Sequence, residues 1–149
     1  MIKLYEVGGS IRDELMGLPN NDRDFVSVCP GGWPELLAWA ENELDKVFLV
    51  TPEFFTIRGI RNKVVVDIVM ARKDGEYSDG RRPDSVESAP LIDDLARRDL
   101  TINAMARPVS LETFEPTGEI IDPFLGASDI QNKVIRVVGG DCMLPGYIR

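Results

Sequence analysis

The run Val64-Val65-Val66-Asp67-Ile68-Val69-Met70 sets one carboxylate in the middle of an otherwise apolar strand. An unpaired charge in such surroundings costs on the order of several kcal/mol. Whatever fold the chain adopts must therefore bring Asp67 a cation or a hydrogen-bonding partner. One source is a metal centre shared with a second acidic strand lying alongside. The other is an ion pair with Arg58 or Arg72.

A second acidic strand is present. Over residues 22–28 the pleat puts Asp22, Asp24, Val26 and Val28 on one side and Arg23, Phe25 and Ser27 on the other. Two carboxylates one residue apart lie about 6.6 Å from each other at the alpha carbons and can converge on one cation. Hard divalent ions such as magnesium prefer such oxygen donors. A lone Asp-x-Asp is common at solvated strand ends, so what precedes it matters. A short strand ending at Val7 runs into Gly8-Gly9-Ser10 and then a two-turn helix on which Ile11, Leu15 and Met16 share a face. Ser10 is placed to cap that helix, Asp13 to favour its positive end, and Gly17 with Pro19 to stop it. Glycines let backbone amides approach phosphate oxygens, a helix start favours an anion, and Arg12 adds a charged clamp. A glycine turn, a helix start and a paired-carboxylate strand, in that order, suit a nucleoside triphosphate tail with its metals.

Composition narrows the chemistry. The 149 residues include no histidine and two cysteines, Cys29 and Cys142, with no Cys-x-x-Cys. Most zinc sites and every histidine-dependent triad are thereby excluded. With 17 Lys and Arg against 25 Asp and Glu, the net charge of −8 argues against a uniform basic coat for nucleic acid. Positive charge gathers in the middle, at Arg58, Arg61, Lys63, Arg72, Lys73, Arg81, Arg82, Arg97 and Arg98. For Arg81 and Arg82 a solvated loop face and a phosphate contact remain equally open. RNA bound by such a chain should touch one side only, with a modest salt dependence. The length suits one domain with one core. With no signal-like or membrane-length apolar run, a reducing cytoplasm is the expected location.

The remaining expectations are a helix over 33–44 with Leu36, Leu37, Ala40 and Leu44 facing the core, and two strands, 54–60 and 63–70, turning at Arg61-Asn62. A mobile polar loop should follow over 74–88, then an interrupted helix over 91–105. Short strands are expected at 120–121 and 134–138, around a Pro-Phe-Leu-Gly turn. The fold class is α+β, a mixed sheet of about five strands backed by helices.

Four stretches in register resemble the class II tRNA nucleotidyltransferases, the CCA-adding enzymes, and the bacterial poly(A) polymerases. The first is Val7-Gly8-Gly9-Ser10-Ile11-Arg12-Asp13-Glu14-Leu15-Met16-Gly17, continued by Asp22-Arg23-Asp24-Phe25-Val26. The second and third are Asp79-Gly80-Arg81-Arg82-Pro83-Asp84-Ser85-Val86 and the stretch from Asp94 through Arg97-Arg98-Asp99 to Asn103 and Ala106. The fourth is Ile121-Asp122-Pro123-Phe124 with Gly126, Asp129 and Val134-Ile135-Arg136. The resemblance implies a polymerase-beta-type nucleotidyltransferase head over residues 1–138. It also implies magnesium on Asp22 and Asp24, with Asp67 as a third catalytic carboxylate, and a triphosphate at Gly8, Gly9, Ser10 and Arg12. Arg98 would meet the incoming nucleotide, Asp99 and Asn103 would orient its ribose or support the site, and Arg72 matches the arginine closing the acidic strand. The implied reaction transfers a nucleotide from CTP or ATP to an RNA 3′ hydroxyl, such as that of tRNA. Residues 139–149 close the chain without the family's neck, body and tail regions. This leaves three alternatives to weigh: a minimal enzyme, with a homodimer or partner protein replacing the missing neck and body; an idle nucleotide-binding or regulatory head that acts through a partner protein; and a fragment of a longer enzyme.

Overall fold

A computed structural model of the chain describes residues 2–20, 22–74, 86–139 and 142–145. Its strands are β1 (Lys3–Val7), β2 (Asp22–Val28), β3 (Lys46–Thr51), β4 (Thr56–Arg61), β5 (Val64–Met70), β6 (Arg72–Asp74), β7 (Val86–Ser88), β8 (Ala106–Val109), β9 (Val134–Arg136) and β10 (Cys142–Pro145). Its helices are α1 (Gly9–Leu15), α2 (Trp33–Glu43), α3 (Leu91–Ala96) and α4 (Gly126–Gln131), with 3-10 turns at Pro52–Phe54 and Thr101–Asn103. Six strands form one mixed sheet in the order β3-β4-β5-β2-β1-β8. In it β2 and β5 run parallel and every other neighbouring pair antiparallel. Two antiparallel ribbons, β6 with β7 and β9 with β10, complete the topology.

Local chemistry accounts for the elements that frame the site. Helix α1 ends in a Schellman arrangement: Leu18 N–H donates to the Asp13 carbonyl at 2.8 Å and Gly17 N–H to the Glu14 carbonyl at 3.1 Å. Gly17 takes the left-handed φ of 73° that this stop requires. Strands β4 and β5 join through Asn62 and Lys63, with φ of 49° and 67°, the two positive values of a type I′ hairpin turn. The turn thus falls one residue later than the expected Arg61-Asn62.

Each face of the sheet carries its own core. On one, Leu4, Phe25, Ile57, Val66, Ile68 and Met70 pack against Leu36 and Ala40 of α2. Aromatic pairs brace this side, Phe25 edge-on to Phe114 at 5.1 Å and Trp39 stacked on it at 5.9 Å. On the other, Val7, Val26 and Ala106 meet Leu95 of α3 and Ala104. The expected helix stripe holds, since Leu36, Ala40 and Leu44 are buried and Leu37 packs against the same core.

Several expectations are corrected. The sheet has six strands rather than about five. β8 is a short edge strand containing Pro108, and its alternation is too brief to show in the sequence. On α1 only Ile11 of the proposed apolar face is buried, and Leu15 is exposed. Ser10 lies inside α1 rather than at its cap; its hydroxyl donates to the Val7 carbonyl at 3.3 Å. Asp13 lies beyond the first turn and accepts from Arg12 and Asn20 instead. The interruption expected within 91–105 is present: α3 ends at Ala96, Leu100 is extended, and the stretch re-enters only as the 3-10 turn Thr101–Asn103 rather than as α-helix. Ile121 makes a single bridge to Ala106, and the expected Pro-Phe-Leu-Gly turn leads into α4, whose first amides donate to the Asp122 carboxylate. The expected loop begins and ends as the paired strands β6 and β7; residues 75–85, including Arg81 and Arg82, lie outside the described residues.

Candidate active site

The acidic strands are neighbours. In the parallel register Asp24 lies beside Asp67, so the two share a face, and Asp22 joins them from two residues upstream on β2. On the opposite side of β5, Arg58 of β4 pairs with Asp67 in register and brings its Nε to 3.6 Å from Oδ1. Asp67 thus has the arginine partner open to it, Arg58, and the second acidic strand lies alongside as a shared centre would require.

The carboxylates remain short of positive charge. Burial, then the Asp67 carboxylate and, more weakly, Asp22, push Asp24 above the usual aspartate range against the opposing pull of Arg98 and Arg58. Asp67 is raised as well, by burial first and by Asp22, despite Arg58. Among the described residues no three acidic or cysteine side chains converge closely enough to hold a metal ion together. Magnesium keeps several waters and takes one or two carboxylates together with substrate phosphates, so it does not require such a group. An all-oxygen donor set with raised carboxylates fits such an ion.

The glycine turn faces this cluster with two arginines. Gly8 sits at φ 72°, ψ −132°, a conformation nearly restricted to glycine, and a Cβ there would stand 3.1 Å from Arg98 Nη1. At Gly9 a Cβ would stand 3.3 Å from an Arg12 nitrogen. Each guanidinium is held from behind. Arg12 donates Nε to Asp13 at 3.0 Å and Nη1 to Asn103 Oδ1 at 2.9 Å. Arg98 donates Nε and Nη2 to Asp94 Oδ2 at 3.1 and 3.0 Å. Asp99 Oδ1 accepts from Leu100 N–H at 2.7 Å and from Asn103 Nδ2 at 3.4 Å. The 3-10 turn bearing Asn103 is pinned by Thr101, whose hydroxyl donates to buried Asp129 at 2.6 Å, while Arg136 pairs with the same carboxylate.

Gly8, Gly9, Arg12, Arg98, Asp99 and Asn103 thus form one connected cluster, and Arg98 brings it within electrostatic reach of Asp24. Ser10 does not join it, because its side chain turns to the other side of α1, toward Glu6. Two positioning groups, Asp94 and Asp13, carry no expectation of that role from the sequence. The four-residue spacing of Asp94 and Arg98 on a helix is the signal for the first. Asp13 offers only adjacency to Arg12.

The sequence matches the family described as Poly A polymerase head domain over residues 4–136. It is 39% identical over 142 residues to the Multifunctional CCA protein of Nitrosomonas europaea, covering 93% of this chain and 30% of that protein. Against the CCA-adding enzyme of Ligilactobacillus salivarius it is 39% identical over 140 residues, covering 91% and 30%. A solved tRNA nucleotidyltransferase complexed with a primer tRNA and an incoming ATP analog shares 36% identity at a TM-score of 0.67, covering 92% of this chain and 36% of that one. A CCA-adding enzyme in complex with CTP gives 31% and 0.68, covering 92% and 30%. The chain spans about a third of the length of the curated relatives it matches. No helix among the described residues is long and apolar enough to cross a membrane. On the match from residue 4 to residue 136 and on the shared sheet, the chain belongs to the poly(A) polymerase head-domain family and has the nucleotidyltransferase head fold of the CCA-adding enzymes.

Proposed function

We propose that this chain is a catalytic head that transfers a nucleoside monophosphate from CTP or ATP to the 3′ hydroxyl of an RNA, with tRNA as the acceptor. The observation that carries the reading is the β2–β5 register, which sets Asp24 beside Asp67 next to a glycine turn flanked by Arg12 and Arg98. The names of the relatives support the tRNA acceptor, and the neighbours solved with CTP and with an ATP analog support the nucleotide.

Asp22 and Asp24 would hold magnesium, with Asp67 as the third carboxylate alongside. When bound, this ion neutralises phosphate charge and lowers the pKa of the attacking hydroxyl. The chain's own groups do the rest. Arg12 and Arg98 bind the triphosphate from positions fixed by Asp13, Asn103 and Asp94, so the entropy of alignment is lost on binding rather than in the transition state. Gly8 and Gly9 present backbone with no side chain to hold phosphate away. Asn103 and Asp99 extend the polar wall toward the ribose. In the step itself the acceptor oxygen bonds to the α-phosphorus and the bond to the bridging oxygen breaks. Pyrophosphate departs with that electron pair, and the hydroxyl proton passes to solvent. No imidazole takes part, since the chain has none.

The test is incubation of the chain with magnesium, labelled CTP or ATP, and tRNA that stops before its CCA end. Label should move to the RNA and fail to do so after Asp22→Ala or Asp24→Ala. Nucleotide binding without transfer to any RNA would overturn the enzyme in favour of an idle head.

A further inference from the structure

Across the sheet from β1 to β3, the acid-bearing face reads in a fixed order. The glycine turn with Arg12 and Arg98 stands by β1 and β2, followed by Asp22 and Asp24 on β2, Asp67 on β5, Arg58 on β4 and Phe48 on β3. The carboxylates therefore divide the face in two. One half holds the glycine turn and its two arginines. The other carries an arginine and an aromatic ring that the proposed triphosphate site leaves unused.

Arg58 is not fully engaged by Asp67. The 3.6 Å approach is an ion pair without a hydrogen bond, and among the described residues Nε has no hydrogen-bond partner. Its guanidinium carbon stands 5.9 Å from the centre of the Phe48 ring, within reach of a cation–π contact. Phe48 is itself 45% exposed, an unusual position for a ring on an edge strand. The cause is local: the β3–β4 register shifts between Val47 and Leu49, and an inserted residue re-aims the side chains around it. Leu49, paired with Arg58, is exposed beside it.

We infer that Arg58 and Phe48 form the acceptor subsite, receiving the unpaired 3′-terminal nucleotide of the RNA. The inference rests on the nucleotidyl transfer proposed above. An aromatic face takes any base by stacking, and an arginine next to it draws the backbone phosphate, the pairing that serves single-stranded nucleic acid generally. The layout gives the direction. A hydroxyl attacking opposite to the leaving pyrophosphate approaches from the far side of the acids, where Arg58 and Phe48 stand. Arg58 also offsets the repulsion that three carboxylates exert on an incoming phosphodiester.

The experiment measures two affinities on the 149-residue chain with magnesium. One uses fluorescently labelled tRNA lacking its CCA end, the other labelled CTP and ATP. Phe48→Leu, which keeps the apolar bulk, should weaken RNA binding about five- to tenfold with an unchanged salt slope. Arg58→Gln should weaken it comparably and reduce the slope of log K against log salt by about 0.7, the value for one single-strand phosphate contact. Arg58→Lys should restore the slope but only part of the affinity. Nucleotide binding should be unchanged in all three. RNA binding equal to the parent in all three variants would overturn this subsite alone. Parallel loss of nucleotide and RNA binding would overturn it too, making Arg58 a mere counter-ion of Asp67. Nucleotide binding by the parent chain with no RNA binding would sink both the subsite and the RNA acceptor proposed above.

Discussion

The same two strands, β1 and β2, carry carboxylates on both faces of the sheet, and the two sets are treated in opposite ways. On one face Glu6 is buried, yet its pKa is lowered: burial would raise it, and the hydrogen bonds of Arg23 and Arg107 outweigh that. Arg23 reaches both Glu6 oxygens at 3.1 Å and also donates to the Phe114 carbonyl. Arg107 spans Glu6 and Glu14. These groups line a cavity of about 410 Å³, yet each guanidinium already has carboxylate partners within the chain. On the other face Asp24 and Asp67 are raised, first by burial and then by neighbouring carboxylates, which Arg58 and, for Asp24, Arg98 only partly offset. A buried carboxylate whose partners are in the chain holds the fold together. One left short of cations waits for charge from outside.

The contrast breaks most sharply at Asp24. Asp24→Ala should reduce nucleotidyl transfer on the order of a thousandfold, since metal-borne charge stabilisation amounts to several kcal/mol. The melting temperature should hold or rise, because an aspartate with a raised pKa costs the fold something when ionised at neutral pH. Transfer assays beside calorimetry check both halves, and a large loss of stability would place Asp24 with Glu6 instead. Glu6→Gln should do the reverse, costing about 3 kcal/mol of stability because Arg23 loses its carboxylate partner and Arg107 one of its two. The pH dependence follows from the sign. The contribution of Glu6 is fully present above the ordinary glutamate value of 4.5 and is lost as pH falls through its lower folded value. Urea unfolding should show the parent weakening in that window and the Gln variant weakening less.

Much of this contrast was legible in the sequence on the acid side and little on the other. Asp22, Asp24 and Asp67 announce themselves because an apolar strand interrupted by a carboxylate is costly wherever it lies, so its neighbours are constrained. The paired faces of β2 follow from the pleat alone. Glu6 carries no such mark. Its partners sit 17 and 101 residues away, and only the β1–β2 and β1–β8 registers bring them together. Local propensity also misplaces Ser10, whose type suits a cap, because Gly8 serves as the cap and the helix starts two residues earlier than a serine cap at 10 allows. Strand β3 is hidden by its own register shift, which breaks the alternation that marks a strand.

A smaller effect tests how the glycine turn serves the acid face. Gly8→Ala forces a side chain into a backbone conformation that costs about 2 kcal/mol and crowds Arg98 Nη1. Stability should fall by that amount, and nucleotide affinity should fall with it, since the arginine yields more easily than the backbone. An unchanged nucleotide affinity at the reduced stability would separate the turn from the binding site.

The smallest predicted effect is at Asp94, which touches neither face's carboxylates and acts only through Arg98. Asp94→Asn keeps the shape but removes the charge that holds Nε and Nη2, a loss of about 1 kcal/mol in positioning. KM for the nucleotide should rise about fivefold while kcat changes little, because Arg98 still reaches the Asn103 carbonyl and the turn behind it is pinned independently by Asp129. Asp94→Glu, which restores the charge on a longer arm, should recover part of the affinity. A merely structural Asp94 would instead lower stability and leave KM alone, so the split between KM and melting temperature decides whether the ion pair aims the arginine or only ties down the end of α3.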